Sequence, residues 1–458
     1  LHPRVRRQRQ MCIRDRDMIV YTEHKERIVL NDKALSSGGE GEIHAITESS
    51  ERFRNCCAKI YYLKKRTSLQ AEKIKYMVNN PPSIVRNNNF MLGWPIEYIT
   101  DANGGFIGFI MPLAFDDSKQ LVMLTTIKVS KKLNEYWHYR YSRDFSQNST
   151  LSRLKLLCNI AVPIHILHST KKYVLKDLKP ENILITYDGK VTIVDMDSVQ
   201  ISDQNKLLYA GTAATPNYIP PEYYIAPNKD EKQNSSWDDF ALGVIFYQVL
   251  IGLHPYVVTP CNLAENATNE IYSNITKYLF PFGENKNQIQ GYPPIHNNFK
   301  NLPEKIQELF VRTFSRNISL RPTAEEWGKS LYEAAKSVGI VRTPHLLGSY
   351  VCQVCKRKIE IQENDVIIYD STRMSVEQKI RLLQNNTYVM NGHTITNLNN
   401  CPYDNNIVIP EQLFLEQERQ KDIHKEVTPK NDENDNNGCG IIIGIVIFVA
   451  LIIFLSLL

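Results

Sequence analysis

The sequence lacks the cysteine pattern of a secreted, disulfide-bonded protein. Its nine cysteines are an odd number, and they show no regular spacing apart from one C-x-x-C. Such usage is typical of reduced thiols in the cytosol. The N-terminal residues also lack the apolar core of a secretory signal. We therefore expect the soluble part of the chain to be cytosolic.

A strong charge of either sign is missing as well. The formal net charge is +5, and residues 1–17 hold six Arg against two Asp, which accounts for +4 of it. The remainder is nearly neutral, whereas a nucleic-acid groove needs basic residues concentrated on one face. Residues 1–17 also have no apolar period and precede an alternative start at Met18. We interpret them as a spurious or disordered extension, and we expect no nucleic-acid partner.

The C-terminal residues contain an uncharged apolar run. Residues 441–458 are eighteen residues without a charge, which is near the lower length for crossing a ~30 Å hydrocarbon core. The preceding residues 411–438 include a polar run typical of a flexible linker. We interpret 439–458 as a single transmembrane helix that tethers the chain to a membrane. A buried core helix is the alternative for this segment.

Between these ends the sequence predicts a two-part folded region of class α+β. Composition is ordinary for a globular protein, with 43% hydrophobic and 22% charged residues. Residues 18–113 contain short segments separated by turn residues, which predict strands around one helix that ends before Pro81. Residues 114–338 contain longer segments with helical spacing. We expect a β-rich lobe followed by a helical lobe.

The strongest chemical signal is the segment VLKDLKPENILI followed by VTIVDMDSVQI. Phosphoryl transfer to a hydroxyl needs a carboxylate at the nucleophile, a cation at the γ-phosphate and metal ligands nearby. Asp177 would accept or orient the hydroxyl proton, and Lys179 would neutralise charge on the phosphoryl group. Asn182 and Asp195 would hold Mg²⁺ through oxygen atoms. The alternative for this cluster is a set of turn and helix-capping residues.

These segments resemble the motifs of the protein kinase family, in the family's order from residue 18 to about 338. The resemblance implies a two-lobed kinase fold that binds ATP and Mg²⁺ between its lobes. A lysine two residues after Asp177 matches the serine/threonine branch. The segment GGEGEIHAI matches the glycine-rich loop, and CCAKIY supplies the lysine of the third strand. The nucleotide-binding residues implied in this way are Gly39, Gly41, Ile46, Lys59, Glu72, Met111 and Leu184.

Within this set, Glu72 is expected to form an ion pair with Lys59 from the helix of the small lobe. An exposed helix glutamate is the alternative for Glu72, and an exposed strand lysine is the alternative for Lys59. The alternative for Gly39 and Gly41 is an ordinary hairpin turn. The hinge is expected to follow Met111. In the large lobe, the resemblance further implies a Glu222–Arg321 ion pair.

Several positions depart from the family pattern. Leu175-Lys176 replaces His-Arg before Asp177, Met196-Asp197 replaces Phe-Gly after Asp195, and His44 replaces the third loop glycine. Lysine lacks the bidentate fork with which arginine binds phosphate, which argues against control by activation-loop phosphorylation. Asp197 would either restrict movement of its segment or add a carboxylate near Mg²⁺. The sequence leaves these two alternatives open.

Residues 349–410 form a separate segment that contains the C-x-x-C. Cys352 and Cys355 have the spacing that presents two thiolates to one Zn²⁺, with Cys401 and His393 as later candidate ligands. The segment lacks a second C-x-x-C, so a pair of unligated thiols is the alternative.

The sequence therefore predicts an ATP- and Mg²⁺-dependent serine/threonine kinase that acts on protein substrates and is anchored by a C-terminal helix. One alternative is a pseudokinase that binds nucleotide or a partner without transferring phosphate, and the departures from the family pattern are the evidence for it. A membrane scaffold in which the Cys-containing segment is the working part is the other.

Overall fold

The structure is a computed structural model that describes residues 18–336, apart from 144–146, 205, 212, 226–231 and 263–268. It also describes six short strands between residues 340 and 396. Residues 1–17, the linker 411–438 and the segment 439–458 lie outside the described residues, as do Cys352, Cys355 and Cys401. The predictions made for them stay predictions.

Between residues 18 and 336 the secondary structure changes from mostly strands to mostly helices, and six short strands follow. The strands of residues 18–291 are β1 (Met18–Thr22), β2 (Arg27–Ser37), β3 (Gly41–Glu48), β4 (Cys56–Tyr61), β5 (Phe90–Leu92), β6 (Glu97–Thr100), β7 (Phe106–Pro112), β8 (Lys119–Gln120), β9 (Tyr173–Val174), β10 (Ile183–Ile185), β11 (Val191–Ile193), β12 (Gln200–Asp203), β13 (Lys206–Tyr209), β14 (Thr259–Pro260) and β15 (Ile289–Gly291). The later strands are β16 (Ile340–Val341), β17 (Gly348–Val351), β18 (Lys358–Ile361), β19 (Ile367–Ile368), β20 (Thr387–Met390) and β21 (His393–Thr396). The helices are α1 (Ser68–Asn79), α2 (Glu135–Tyr141), α3 (Gln147–Ser169), α4 (Pro221–Ile225), α5 (Ser236–Ile251), α6 (Ile271–Thr276), α7 (Glu304–Thr313) and α8 (Ala324–Lys336).

The chain divides into two compact units. Among the described residues, the first unit contains 18–85, 92–114 and 194–197, and the second contains the rest. The sequence predicts the division between residues 113 and 114. The first unit also includes residues 194–197, which come from a distant part of the chain.

The first unit is built on a closed antiparallel barrel with the strand order β1-β2-β3-β4-β7-β6. Because alternate strand residues point to opposite faces, one face of each strand can fill the barrel. The apolar interior includes Val20, Leu30, Ala58, Ile99 and Ile110. Helix α1 begins after Thr67, whose side chain accepts a hydrogen bond from the backbone N–H of Gln70.

The second unit has α3 and α5 in its core. Nearly every residue of α5 is buried, and the helix ends at Gly252, which adopts the left-handed conformation with φ of 92°. Arg321 lies against the start of α5 and donates hydrogen bonds to both carboxylate oxygens of Glu222, at 2.8 and 3.2 Å. The ion pair implied by the family resemblance is therefore present.

One helix among the described residues is long and apolar enough to cross a membrane, namely Ser149–Ser169 within α3. It is 83% buried over its most apolar window, and Cys158 Sγ lies 3.5 Å from the carbonyl oxygen of Gly328 in α8. A core helix of a folded domain meets the same criteria of length and composition.

Candidate active site

The strand register of the first unit defines a face around Lys59. In antiparallel pairing Lys59 lies opposite Ile43 of β3 and Phe109 of β7, and Cys57 lies opposite Ala45 and Met111. Paired residues share a face of the sheet. Met111, assigned to the nucleotide site from the sequence, therefore lies on the face that carries Lys59.

Ile46 lies on the other face. It follows Ala45 by one residue and packs against the apolar interior of the barrel. Because side chains alternate along a strand, a shift of one residue moves a side chain to the opposite face. The assignment of Ile46 to the nucleotide face is thus off by one position, and Ala45 occupies the place expected for it.

The glycine-rich segment connects β2 to β3. The backbone N–H of Gly38 donates to the carbonyl oxygen of Gly41 at 2.9 Å. A Cβ at Gly41 would lie 2.2 Å from the carbonyl oxygen of Ile60, so glycine is required there by the approach of β4. A Cβ at Gly39 would meet nothing within 4 Å. Gly38 has the same open space, so neighbouring residues impose no steric requirement for glycine at either position, and the nucleotide contact of Gly39 stays a prediction.

Lys59 is buried, and its partners are acids from residues 195–197. Its Nζ donates to Asp197 Oδ1 and Oδ2, at 2.8 and 2.7 Å, and to Asp195 Oδ1 at 3.0 Å. A third acid, Glu40, lies 3.8 Å away. The predicted partner Glu72 is instead exposed on α1. The expected Lys59–Glu72 ion pair is wrong for this structure.

Helix phase explains the error. The buried residues of α1 are Lys73, Ile74 and Met77. At 100° per residue, Glu72 points about 150° from the centre of that face. The inward position next to Glu72 carries Lys73, which is 2% exposed.

The charges around Lys59 influence one another strongly. Burial alone would lower the pKa of Lys59, but the carboxylates of Asp197 and Asp195 raise it above its ordinary value. Burial raises the pKa of Asp195, whereas Lys59 holds the pKa of Asp197 below its ordinary value despite burial. Lys59 therefore stays protonated, as a group that binds phosphate must.

In the second unit, Asp177 and Lys179 form a hydrogen-bonded triangle with Thr215. Lys179 Nζ donates to Asp177 Oδ2 at 2.6 Å and to Thr215 Oγ1 at 3.0 Å, and Thr215 Oγ1 donates to Asp177 Oδ1 at 2.6 Å. Asp177 is 6% exposed. Both of its oxygens accept hydrogen bonds from these neighbours, so the orientation of the carboxylate is fixed.

Asp238 fixes the backbone immediately before Asp177. Its carboxylate accepts hydrogen bonds from the N–H groups of Leu175 and Lys176, at 2.7 and 2.9 Å, and lies 2.9 Å from His168 Nε2. Lys176 has a φ of 66°, a left-handed conformation that is costly for a residue with a side chain. The buried Asp238 therefore stabilises a strained loop immediately before Asp177.

The ammonium group of Lys176 lies against two aromatic rings. Its Nζ lies 3.7 Å from the centre of the Trp237 ring and 5.6 Å from that of Tyr223. The indole N–H of Trp237 donates to the carbonyl oxygen of Lys176 at 2.9 Å. The lysine that replaces the family's arginine thus forms a cation–π contact within its own unit.

The predicted metal ligands offer oxygen donors suited to Mg²⁺. The amide nitrogen of Asn182 donates to the backbone oxygen of Asp177 at 3.0 Å, and its amide oxygen is a ligand type that Mg²⁺ accepts. In the first unit, oxygens of Asp195, Asp197 and Glu40 all lie within 4.8 Å of one another. The donor chemistry of both units therefore fits a hard divalent cation.

Leu184 lies on β10 between two buried neighbours. Ile183 and Ile185 are 0% and 1% exposed, while Leu184 is half-buried on the opposite face of the strand. Its predicted contact with nucleotide stays a prediction.

Sequence reasoning missed two important residues, Asp197 as the main partner of Lys59 and Thr215 as the partner of Asp177. A signal for Asp197 was present, because an acid replaces the usual glycine two residues after Asp195. The signal for Thr215 was weaker, since threonine at a turn is common.

Comparisons with known proteins agree with this geometry. Residues 110–332 match the family of the protein kinase domain. The chain is 27% identical over 319 residues to protein kinase YegI of Escherichia coli K12, covering 68% of this chain and 45% of that protein. YegI of Escherichia coli O157:H7 is 26% identical over 306 residues, covering 65% and 44%. Rho-associated protein kinase let-502 of Caenorhabditis briggsae is 23% identical over 252 residues, covering 52% and 18%.

The chain spans less than half the length of its YegI relatives. The family match covers the predicted catalytic residues Asp177 and Lys179, together with both predicted metal ligands. With the motif order and the geometry of each unit, these findings assign the chain to the bacterial, eukaryotic-like protein kinases.

Proposed function

We propose that the protein is an ATP- and Mg²⁺-dependent serine/threonine kinase that phosphorylates proteins and is held at a membrane by residues 439–458. The observation that carries the catalytic part is the triangle of Asp177, Lys179 and Thr215. A carboxylate, a cation and an orienting hydroxyl at these distances are the groups required at the acceptor end of phosphoryl transfer.

The chemistry follows from the residues of each unit. Asp177 accepts the proton of the substrate hydroxyl as the hydroxyl oxygen attacks the γ-phosphorus of ATP, and the bond to the bridging oxygen breaks to release ADP. Lys179 balances negative charge on the transferring group, and Lys59 binds the nucleotide phosphates. Asn182 and Asp195 would hold Mg²⁺, which when bound neutralises charge on the phosphate oxygens.

Serine/threonine specificity is supported by the lysine two residues after Asp177, and the membrane tether is supported by the uncharged run at residues 441–458. Each part has its own test. Incubation with labelled ATP, Mg²⁺ and peptides that contain only serine, threonine or tyrosine as acceptor should label the first two. Membrane fractionation of cells that express the chain with and without residues 439–458 should show release of the shorter form.

The catalytic test uses Asp177→Asn, with Asp32→Asn as a matched control because Asp32 is exposed on β2. Loss of a general base should lower the rate by about 10²–10⁴-fold. The control should match the parent. Equal labelling by the parent and Asp177→Asn would reject the role of Asp177. Stabilisation of the parent by ATP and Mg²⁺ without any transfer would favour a nucleotide-binding protein instead.

A further inference from the structure

The partner of Lys59 differs in origin from the one that the family resemblance implies. The expected acid belongs to the helix, whereas both acids that hydrogen-bond to Lys59 Nζ are two residues apart in the segment 195–197. Asp197 contributes both carboxylate oxygens and is 1% exposed. It is therefore the most closely bound and most deeply buried acid at Lys59.

Helix α1 presents no acid that could compete for this role. Its buried face consists of Lys73, Ile74 and Met77. The ammonium group of Lys73 has no hydrogen-bond partner among the described residues. Burial lowers its pKa to about 8, and Asp197 is the acid that opposes this shift most. The inward helix position thus carries a cation, and Asp197 faces two lysines.

Other side chains fix the orientation of the Asp197 carboxylate. The hydroxyl of Tyr61 donates to Asp197 Oδ2, and Gln70 Nε2 donates to the Tyr61 hydroxyl at 2.8 Å. Tyr61 shares a strand face with Lys59 because the two are separated by one residue of β4. Gln70 lies in the first turn of α1. The carboxylate is thus held by the strand and, through Tyr61, by the helix.

We propose that Asp197 is the positioning residue for Lys59, in place of a helix glutamate. This inference rests on the proposed function, because Lys59 is useful only if it meets nucleotide phosphates. Its consequence is that Lys59 is oriented by the same three-residue segment that supplies the metal ligand Asp195. Correct placement of that segment prepares the phosphate-binding lysine and the metal ligand together.

The first test compares Asp197→Asn with Glu72→Gln in the full chain. Both substitutions replace a carboxylate by an amide of the same shape. The dissociation constant for ATP, the KM for ATP and kcat are measured for each variant. Thermal melting of the same samples checks that each variant is folded. Loss of a charged hydrogen-bond partner should weaken ATP binding about 10-fold or more in Asp197→Asn. Glu72→Gln should match the parent.

The second test asks whether ATP affinity depends on an acid next to Lys59 or only on the packing of the side chain at position 197. Asp197→Gly introduces the family's usual residue and should lose ATP affinity. Adding Lys73→Glu places an acid at the inward helix position and should restore much of that affinity, which a simple packing defect would not allow. Tyr61→Phe removes no charge and two hydrogen bonds, one to Asp197 and one from Gln70. It provides a milder variant in case Asp197→Asn folds poorly. It should show a smaller loss of the same kind.

Three results would overturn the inference. They are parent-like ATP affinity in Asp197→Asn, no recovery when Lys73→Glu is added, and an altered Mg²⁺ requirement with unchanged ATP affinity, which would assign Asp197 to the metal. Failure of the proposed function is distinguishable, because a parent that transfers no phosphate still allows ATP binding to be compared among the variants.

Discussion

Replacement of Thr215 by valine would test the hydrogen-bonded triangle of Asp177, Lys179 and Thr215 with little change in shape. Valine has the volume of threonine but carries a methyl group in place of the hydroxyl. In the structure that hydroxyl donates to Asp177 Oδ1 at 2.6 Å and accepts from Lys179 Nζ at 3.0 Å. Thr215→Val therefore removes two contacts that orient the base and the cation.

The expected effect follows from the charge on both partners. A hydrogen bond to a charged group contributes about 1.5–3 kcal/mol. If that stabilisation is needed in the transition state, its loss lowers kcat by about 10–100-fold. Thr215→Ser keeps the hydroxyl and should retain most of the activity. The hydrogen bonds of Thr215 described above involve only Asp177 and Lys179, so the KM for ATP should change little.

Steady-state phosphotransfer by the parent and both variants, with ATP varied at saturating acceptor, measures kcat and KM separately. Thermal melting of the same samples checks that each variant is folded. A Thr215→Val protein with parent-like kcat would refute the reasoning. So would a Thr215→Ser protein as impaired as Thr215→Val, because the loss would then come from packing and not from the hydroxyl.

Two further predictions concern regulation and stability. Because Lys176 Nζ lies over the Trp237 ring at 3.7 Å, Lys176 should contribute little to binding a phosphate on the activation loop. Phosphatase treatment of the purified protein should therefore leave the initial rate of phosphotransfer unchanged. A marked fall in this rate after treatment would contradict the prediction. Burial lowers the pKa of His254 to about 4 from 6.5 in the unfolded chain. Between these two pH values the folded state therefore binds fewer protons than the unfolded state. The free energy of unfolding should fall as the pH drops through this window, by about 2 kcal/mol at pH 5 relative to pH 8. Urea unfolding at both pH values should show that the free energy of unfolding depends less on pH in His254→Gln than in the parent. His24→Gln should keep the pH dependence of the parent, since His24 is exposed. An equal pH dependence in the parent and His254→Gln would show that His254 is not responsible.

Much of the site could be predicted because the required groups are close together in the chain. Asp177, Lys179 and Asn182 lie within six residues, and a short loop fixes their relative positions through local backbone geometry. The strand position of Lys59 could likewise be predicted from its distance to the glycine-rich segment. Local spacing constrains such groups independently of the rest of the fold.

Other features depend on helix phase and strand register, which the sequence constrains only loosely. A rotation of one residue along α1 exchanges exposed Glu72 for buried Lys73. A shift of one residue along β3 exchanges Ile46 for Ala45 on the face of Lys59. Either error is small in sequence and large in space, because neighbouring residues point in different directions.

The sequence by itself determined the family, the order of the motifs and the identity of the groups expected at the phosphate and the metal. Only the tertiary structure decided which acid meets Lys59. Asp197 lies 138 residues from Lys59 in the chain, yet its carboxylate is within 2.8 Å of the ammonium group. Contacts over such separations are set by how the chain folds back on itself. The acid in place of the usual glycine marks position 197 as unusual, but it does not specify which residue that acid meets.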